Sequence, residues 1–322
     1  MKQKSIFRKI ISSKEMGIFI PWLLICIVTG VVNHAFFSMN NVINLLRSIS
    51  ITLLGAIGVT FVLISGQMEM SIGSTMGLAS LITGMCMDRY QLPVVVSILA
   101  GLLVAALIGV VNGVIISKFK IPALIVTLGT MYIGRGAINV ISKGVPFGGF
   151  PDSFNQLGQG TLFSIPYSVY IAFAAMVIAS VVLKYTVFGR SIMAVGGNAE
   201  TARLSGIHID KITVITYIIS AVTAGMAGIL TASRLSSAQA NAGNGWEMTV
   251  ISAVVIGGTS MYGGSGSIVG TLIGVAIMET LTVSMTMLRV DAYWQKIVVG
   301  AIIIFAVGVD TYRRSKVSAD KG

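Results

Sequence analysis

Charge is what this chain has least of. Of 322 residues, 22 are Lys or Arg and 11 are Asp or Glu, together 10%, where a soluble domain carries roughly 25%. So few charges could not keep one soluble globule of this size in solution. A soluble enzyme, a nucleic-acid-binding domain and a disordered chain are thereby excluded. Cysteine is nearly absent: Cys26 and Cys86 stand alone in apolar runs, with no metal-ligand spacing and no disulfide framework, and read as small buried hydrophobes. The two histidines, His34 and His208, are too far apart for a metal site or proton relay. No Gly-Lys dipeptide occurs anywhere, so Gly257–Gly266 is a bend between apolar stretches and not a phosphate-binding loop. No nucleophile–base arrangement can be built. The chain alone is therefore not an enzyme, and no cofactor or metal is implied.

What the chain has is apolar length. Hydrophobic residues make up 55% of it, glycine fills 37 positions and the mean hydropathy is +0.90. Stretches long enough to cross, or nearly cross, about 30 Å of hydrocarbon fall at 17–33, 48–65, 71–87, 94–117, 121–142, 165–183, 212–233, 248–262, 268–288 and 293–311. Ten spans are expected, with broken helices at 71–87 and 248–262, where runs are short or interrupted by glycine. The first stretch follows Lys2, Lys4, Arg8, Lys9 and Lys14 in the manner of a signal peptide. Asn33, His34, Ala35 and Phe36 after it offer no small-x-small cleavage site, so it is expected to be retained.

Basic residues set the orientation. With a cytoplasmic N-terminus, 15 Lys and Arg fall inside and five outside (Arg47, Arg89, Lys143, Arg234 and Arg289), while Arg135 and Lys296 lie within spans. Net charge of +11 is thus a topology signal and not a nucleic-acid patch. The whole of 1–322 reads as one transmembrane domain, with cytoplasmic tails at 1–16 and 312–322, an outer loop at 143–164 and a polar inner loop at 184–211. In that inner loop Asn198–Gly206 has the marks of a short helix, with Asn198 as N-cap and Gly206 as stop.

The chain also repeats itself. Met68-Glu-Met-Ser-Ile72 matches Trp246-Glu-Met-Thr-Val250, and Leu107-Ile-Gly-Val110 returns as Leu272-Ile-Gly-Val275, in the same order. Five spans per half is odd, so the halves would have opposite orientations, the inverted-repeat plan that places a substrate path at the repeat interface. An ionisable group inside a membrane needs a reason, because it costs about 2.5–3.5 kcal/mol on insertion scales. Glu69, in Gly66-Gln-Met-Glu-Met-Ser-Ile-Gly73, and Glu247, in Asn241-Ala-Gly-Asn-Gly-Trp-Glu-Met-Thr249, both lie among helix-breaking residues. They either line the pathway, with Gln67, Ser71, Ser74, Asn244 and Trp246, or cap the short helices that follow them. Glu279 has no repeat partner and suits a hydrogen bond within the bundle. Gly73 and Gly77, Gly109 and Gly113, and Gly266, Gly270 and Gly274 are spaced for close helix packing inside the chain.

Four segments carry a family resemblance: Leu63–Ser74, Thr127–Gly136, Gly189–Ile207 and Ala253–Gly270. Over residues 40–312 the chain resembles the permease subunits of bacterial ABC importers of the ribose, xylose, galactose and autoinducer-2 type. The resemblance implies an all-α permease of the cytoplasmic (inner) membrane, paired with a second permease copy or paralogue. It implies docking on a cytoplasmic ATPase, double-cassette in form, and supply by an extracytoplasmic sugar-binding protein. Gly197, Asn198, Glu200, Ala202, Arg203, Leu204, Ser205 and Gly206 would form the helix that couples to the ATPase. The family usually shows Gly-Gly-Ile-Asp-Leu-Ser where this chain has Gly66-Gln-Met-Glu-Met-Ser71, so no substrate preference is carried over. The other class with inverted repeats is the ion-coupled secondary transporter, in which Glu69 or Glu247 would carry the proton.

Overall fold

The computed structural model describes residues 16–319. Of the expected N-terminal tail, residues 1–15 lie outside the described residues. The chain runs α1 Met16–Val32, α2 Met39–Ile64, α3 Ile72–Asp88, α4 Val94–Phe119, α5 Ala123–Ser142, α6 Asp152–Gln159 and α7 Tyr167–Tyr185. It continues with α8 Val187–Gly197, α9 Ala199–Leu204, α10 Ile209–Leu235, α11 Trp246–Ile256, α12 Ile268–Met287 and α13 Ala292–Ala319. A short 3-10 helix, His34–Phe37, joins α1 to α2. Strand content among the described residues is two short antiparallel pairs: β1 Phe147–Gly148 with β4 Ser237–Ala238, and β2 Thr161–Leu162 with β3 Ile165–Pro166. The fold is all-α.

Each of the ten apolar stretches corresponds to a helix. Six of these (α2, α4, α5, α7, α10 and α12) are long and apolar enough to cross a bilayer; Trp22–Val32, α11 and Ala292–Gly308 are shorter apolar helices. Prolines set four helix starts, since Pro93, Pro122, Pro151 and Pro166 immediately precede α4, α5, α6 and α7. A residue there has no intrahelical acceptor for an N–H, so its lack in proline costs nothing.

One expectation needs correction. Residues 72–88 form an unbroken helix, and the break lies before it, in the Ser65–Ser71 link. The break expected at 248–262 is present, because Gly257 and Gly258 turn the chain away after Ile256. The last helix continues to Ala319, into the stretch read as the C-terminal tail.

Burial sorts the helices. In its most apolar window α2 is 83% buried, α10 and α12 are 61% buried, and α4, α5 and α7 are 22% buried. Hence α2 and α10 form the centre and the last three present wide apolar faces outward, as lipid-facing helices do. The two central helices cross where Gly58 meets Ser220: a Cβ at 58 would stand 2.5 Å from Ser220 Cα, closer than real side chains approach. All the closely spaced glycines pack inside the chain. Gly109 and Gly113 lie on Ile218 and Val214 of α10, Gly270 and Gly274 on Gly257 and Ala253, and Gly266 on Ile64.

Charge separates by end. Lys120, after α4, pairs with Asp210, in α10, at 2.8 Å. At the opposite end Arg47 donates to the carbonyl of Gln159, Arg234 donates to Ser48 Oγ at 3.1 Å, and Arg89 lies over the Phe147 ring. The first group belongs to the fifteen basic residues counted inside, the second to the five counted outside.

Candidate functional site

The Ser65–Ser71 link crosses the protein interior as irregular backbone, so its polar groups must find partners there. Glu69, 2% exposed, supplies them. The Ser71 amide donates to its Oε1 at 2.7 Å and the Ser71 hydroxyl donates to the same atom at 2.6 Å. Ser71 Oγ in turn accepts from Asn112 Nδ2 at 3.0 Å, and Asn112 Oδ1 accepts from Thr130 Oγ1 at 2.6 Å. Ser74 donates to the Ser71 carbonyl, and Tyr217 donates to the Met68 carbonyl. The Glu69 carboxylate therefore holds the start of α3. Of the two sequence readings, capping accounts for these contacts. Gln67 lies at the other end of the link, its Nε2 donating to Thr213 Oγ1 at 3.2 Å.

The second carboxylate behaves differently. Glu247 lies in the first turn of α11, 8% exposed, and its Oε2 is buried with no hydrogen-bond partner among the described residues. Trp246, beside it, donates from Nε1 to Thr52 Oγ1 at 3.4 Å and lays its ring on Gly55. Asn244 is exposed, in the turn leading into α11.

Gly73 joins the two clusters. A Cβ there would collide with Glu247 Oε2 and the Gly243 carbonyl and stand 3.2 Å from Arg135 Nη2. Arg135, on α5, donates from Nη1 to the Ala242 carbonyl at 2.6 Å, and its Nη2 is buried without a partner. In the sequence Arg135 reads as a cation within a span with no assigned role, and Asn112 has none either. The signal for both was a polar side chain in an apolar helix. Glu279 accepts from Thr52 Oγ1 at 2.7 Å, a hydrogen bond within the bundle.

The 184–211 loop holds two helices. The N-cap Thr186 starts α8, its Oγ1 accepting from the Gly189 amide at 3.1 Å; this helix was not foreseen. Asn198 then caps α9, its Oδ1 accepting from the Thr201 amide at 2.9 Å. At the far end Gly206, at φ +83°, donates to the Arg203 carbonyl while Ile207 donates to that of Ala202. That pair of bonds is the Schellman closure, which needs a left-handed residue at its turn. Ser205 Oγ adds a bond to the Thr201 carbonyl, and Glu200 and Arg203 pair on the outer surface at 2.6 Å. Ala202, one of the residues expected to couple to the ATPase, is 3% exposed and packs in this chain's own core; Leu204, 78% exposed, faces out. Gly197, the last residue of α8, has open space around it, while Gly196 packs against the Ile64 carbonyl and the Gly264 amide.

A multi-span helical bundle with an irregular polar interior and a capped helix pair at one end is the architecture of a polytopic membrane protein, and its sequence relationships make it a permease. The chain belongs to the family described as the branched-chain amino acid transport system / permease component, whose pattern matches residues 41–307. It is 37% identical to the ribose import permease protein of Haemophilus influenzae over 306 residues, 94% of each chain. The ribose import permease protein of Escherichia coli K12 is also 37% identical, over 93% of this chain and 94% of that one. An L-arabinose ABC transporter permease protein of Azospirillum brasilense is 34% identical over 95% of this chain and 90% of that one. No solved structure matches.

Proposed function

We propose that this chain is the membrane-spanning permease of an ATP-driven importer that carries a monosaccharide across the bacterial cytoplasmic membrane. The observation that carries the reading is the α8–α9 pair. A helix of six residues is too short to hold itself together in water. This one is capped at both ends and anchored by Ala202, which suits an element that must keep its shape while a partner pushes on it. An ATPase on the inner face would supply that push, and an external binding protein would deliver the sugar. A second permease, the same or a paralogue, would complete the pathway. ATP binding would then bias two states of the permease pair, and each state would open the path to one side.

The contact pattern supports ten spans in two inverted halves. In the first half α3 and α4 pack on α10, the central helix of the second; in the second half α11 and α12 pack on α2, the central helix of the first. The repeated Leu-Ile-Gly-Val segments lie on α4 and α12, the helices so exchanged. Glu69 and Glu247 fall beside the starts of α3 and α11, and α3 meets the turn before α11 where Gly73 touches Gly243. An inverted repeat of this kind places the solute between its halves.

Inside-out and right-side-out vesicles holding the permease, its ATPase and its binding protein test the reading. Uptake of labelled ribose or arabinose should need ATP and binding protein and should survive collapse of the proton and sodium gradients. Uptake that follows an ion gradient without ATP would make the chain a secondary transporter.

A further inference from the structure

Glu247 Oε2 and Arg135 Nη2 present a problem that packing alone does not explain. Both atoms are buried, both lack a hydrogen-bond partner among the described residues, and they carry opposite charge on either side of Gly73. Buried polar groups are nearly always satisfied, and an orphaned pair of them calls for a reason. No ion pair within 4.0 Å joins them among the described residues, the two found being Lys120–Asp210 and Glu200–Arg203. Arg135 is held by its other nitrogen, which donates to the Ala242 carbonyl. Glu247 is held by the first turn of α11. Gly73 and Gly243 lie in backbone contact beside the pair, and a Cβ on either would strike the other's carbonyl. Along α5, Arg135 stands about 18 Å from Ala123 at the helical rise of 1.5 Å per residue, past the middle of a helix of about 30 Å. With α5 spanning the bilayer, this is near mid-depth, where a substrate site at a repeat interface is expected.

One kind of group satisfies both atoms at once. A hydroxyl donates one proton and accepts through its oxygen, so it can give to the carboxylate and receive from the guanidinium. A lone cation would be repelled by Arg135 and a lone anion by Glu247. We propose that Arg135 and Glu247 form a hydroxyl-reading pair in the pathway, selecting neutral, polyhydroxylated solutes as they pass Gly73. The inference rests on the permease reading above and adds to it a specificity-determining residue, Arg135, to act with Glu247.

The experiment uses the reconstituted complex of permease, ATPase and binding protein. Uptake of D-ribose, L-arabinose, D-xylose and D-galactose is measured first. ATP-dependent uptake of at least one by wild type upholds the permease reading, whatever follows. Wild-type ATP hydrolysis with none of the four carried overturns the solute class. Glu247→Gln and Arg135→Gln should each lower uptake of the carried sugar at least tenfold while still copurifying with the ATPase. The double variant should be no worse than the poorer single one, as expected for residues acting on one group. Near-normal uptake in both single variants overturns the inference. A second measurement separates pathway from mere packing. In a Cys26→Ser, Cys86→Ala background, Arg135→Cys and Glu247→Cys should react with a hydrophilic methanethiosulfonate during turnover, and saturating sugar should slow the reaction. Absence of reaction in every state overturns the pair as pathway residues. Reaction untouched by sugar means that the pair holds a bridging water only, and overturns it as well.

Discussion

The amide of Gly264 donates to the carbonyl of Ile64 at 2.8 Å, and so ties the loop after α11 to the last residue of α2. Gly196 packs on that same carbonyl, two residues before the cap of α9, and Gly263 stands against Gly66 at the start of the Glu69 link. Displacement of α8–α9 would therefore act directly on the end of α2 and on the loop after α11, through backbone contacts with no flexible side chain between them. Packed backbone of this kind shifts between discrete arrangements and does not stretch.

Glycine substitutions should separate contact from open space. Gly196→Ala would drive a Cβ into the Ile64 carbonyl, and Gly228→Ala into that of Met76, while Gly129→Ala meets nothing within 4 Å. Overpacking of about 1–3 kcal/mol is expected for the first two. The third should be neutral or gain up to about 1 kcal/mol from helix propensity. Thermal denaturation in detergent should rank them in that order, and equal midpoints for Gly228→Ala and Gly129→Ala would contradict the packing described.

Caps at both ends of α9 should matter more to coupling than to assembly. Gly206→Val places a β-branched residue at φ +83° and breaks the closing turn. Asn198→Ala removes the N-cap, a loss of about 1 kcal/mol. Both variants should still assemble with the ATPase yet hydrolyse ATP without proportional uptake. The ratio of sugar carried to phosphate released measures this, and an unchanged ratio would remove the coupling role.

The two faces of α9 should respond differently. Ala202→Leu overpacks a buried site and should destabilise the permease itself by about 1–3 kcal/mol. Leu204→Ala changes an exposed residue, so stability should hold while affinity for the ATPase falls. Pull-down of purified subunits together with melting curves distinguishes the two, and a Leu204 variant that binds normally would show that the partner contacts another face.

Removing the Glu69 side chain should cost more than neutralising it. Glu69→Ala leaves the Ser71 amide and hydroxyl without their acceptor, at about 1–3 kcal/mol for each buried group. Glu69→Gln keeps a carbonyl oxygen in reach of both. Detergent unfolding should find the alanine variant clearly less stable than the glutamine variant, and equal losses would refute the capping role.

Cysteine labelling tests the orientation. In a background lacking Cys26 and Cys86, Asp152→Cys should react with an impermeant thiol reagent from outside and Asn198→Cys only from inside. The reverse pattern would invert the orientation set by the basic residues.

Much of this protein is legible in its sequence, for reasons that act locally. Hydrocarbon solvation requires apolar runs of helical length, so the ten stretches and the all-α class follow from composition and spacing. Asn198 and Gly206 mark α9 because caps depend on neighbours three to five residues away. The expectation of capping or lining at Glu69 and Glu247 came from the helix breakers around them, yet their different fates did not. Glu69 is satisfied by Ser71, two residues on, whereas Glu247 faces Arg135, more than a hundred residues earlier in the chain and on another helix. Likewise Ala202 turned inward because α8, α10 and the core behind them offered it an apolar site, which no count along the chain reveals. The helix α6 and the β1–β4 pair are not legible along the chain for the same reason. Phe147, Phe150 and Phe154 are held by Leu81, Ile138 and Ile229 from three other helices, and only that packing gives an isolated eight-residue helix a reason to form.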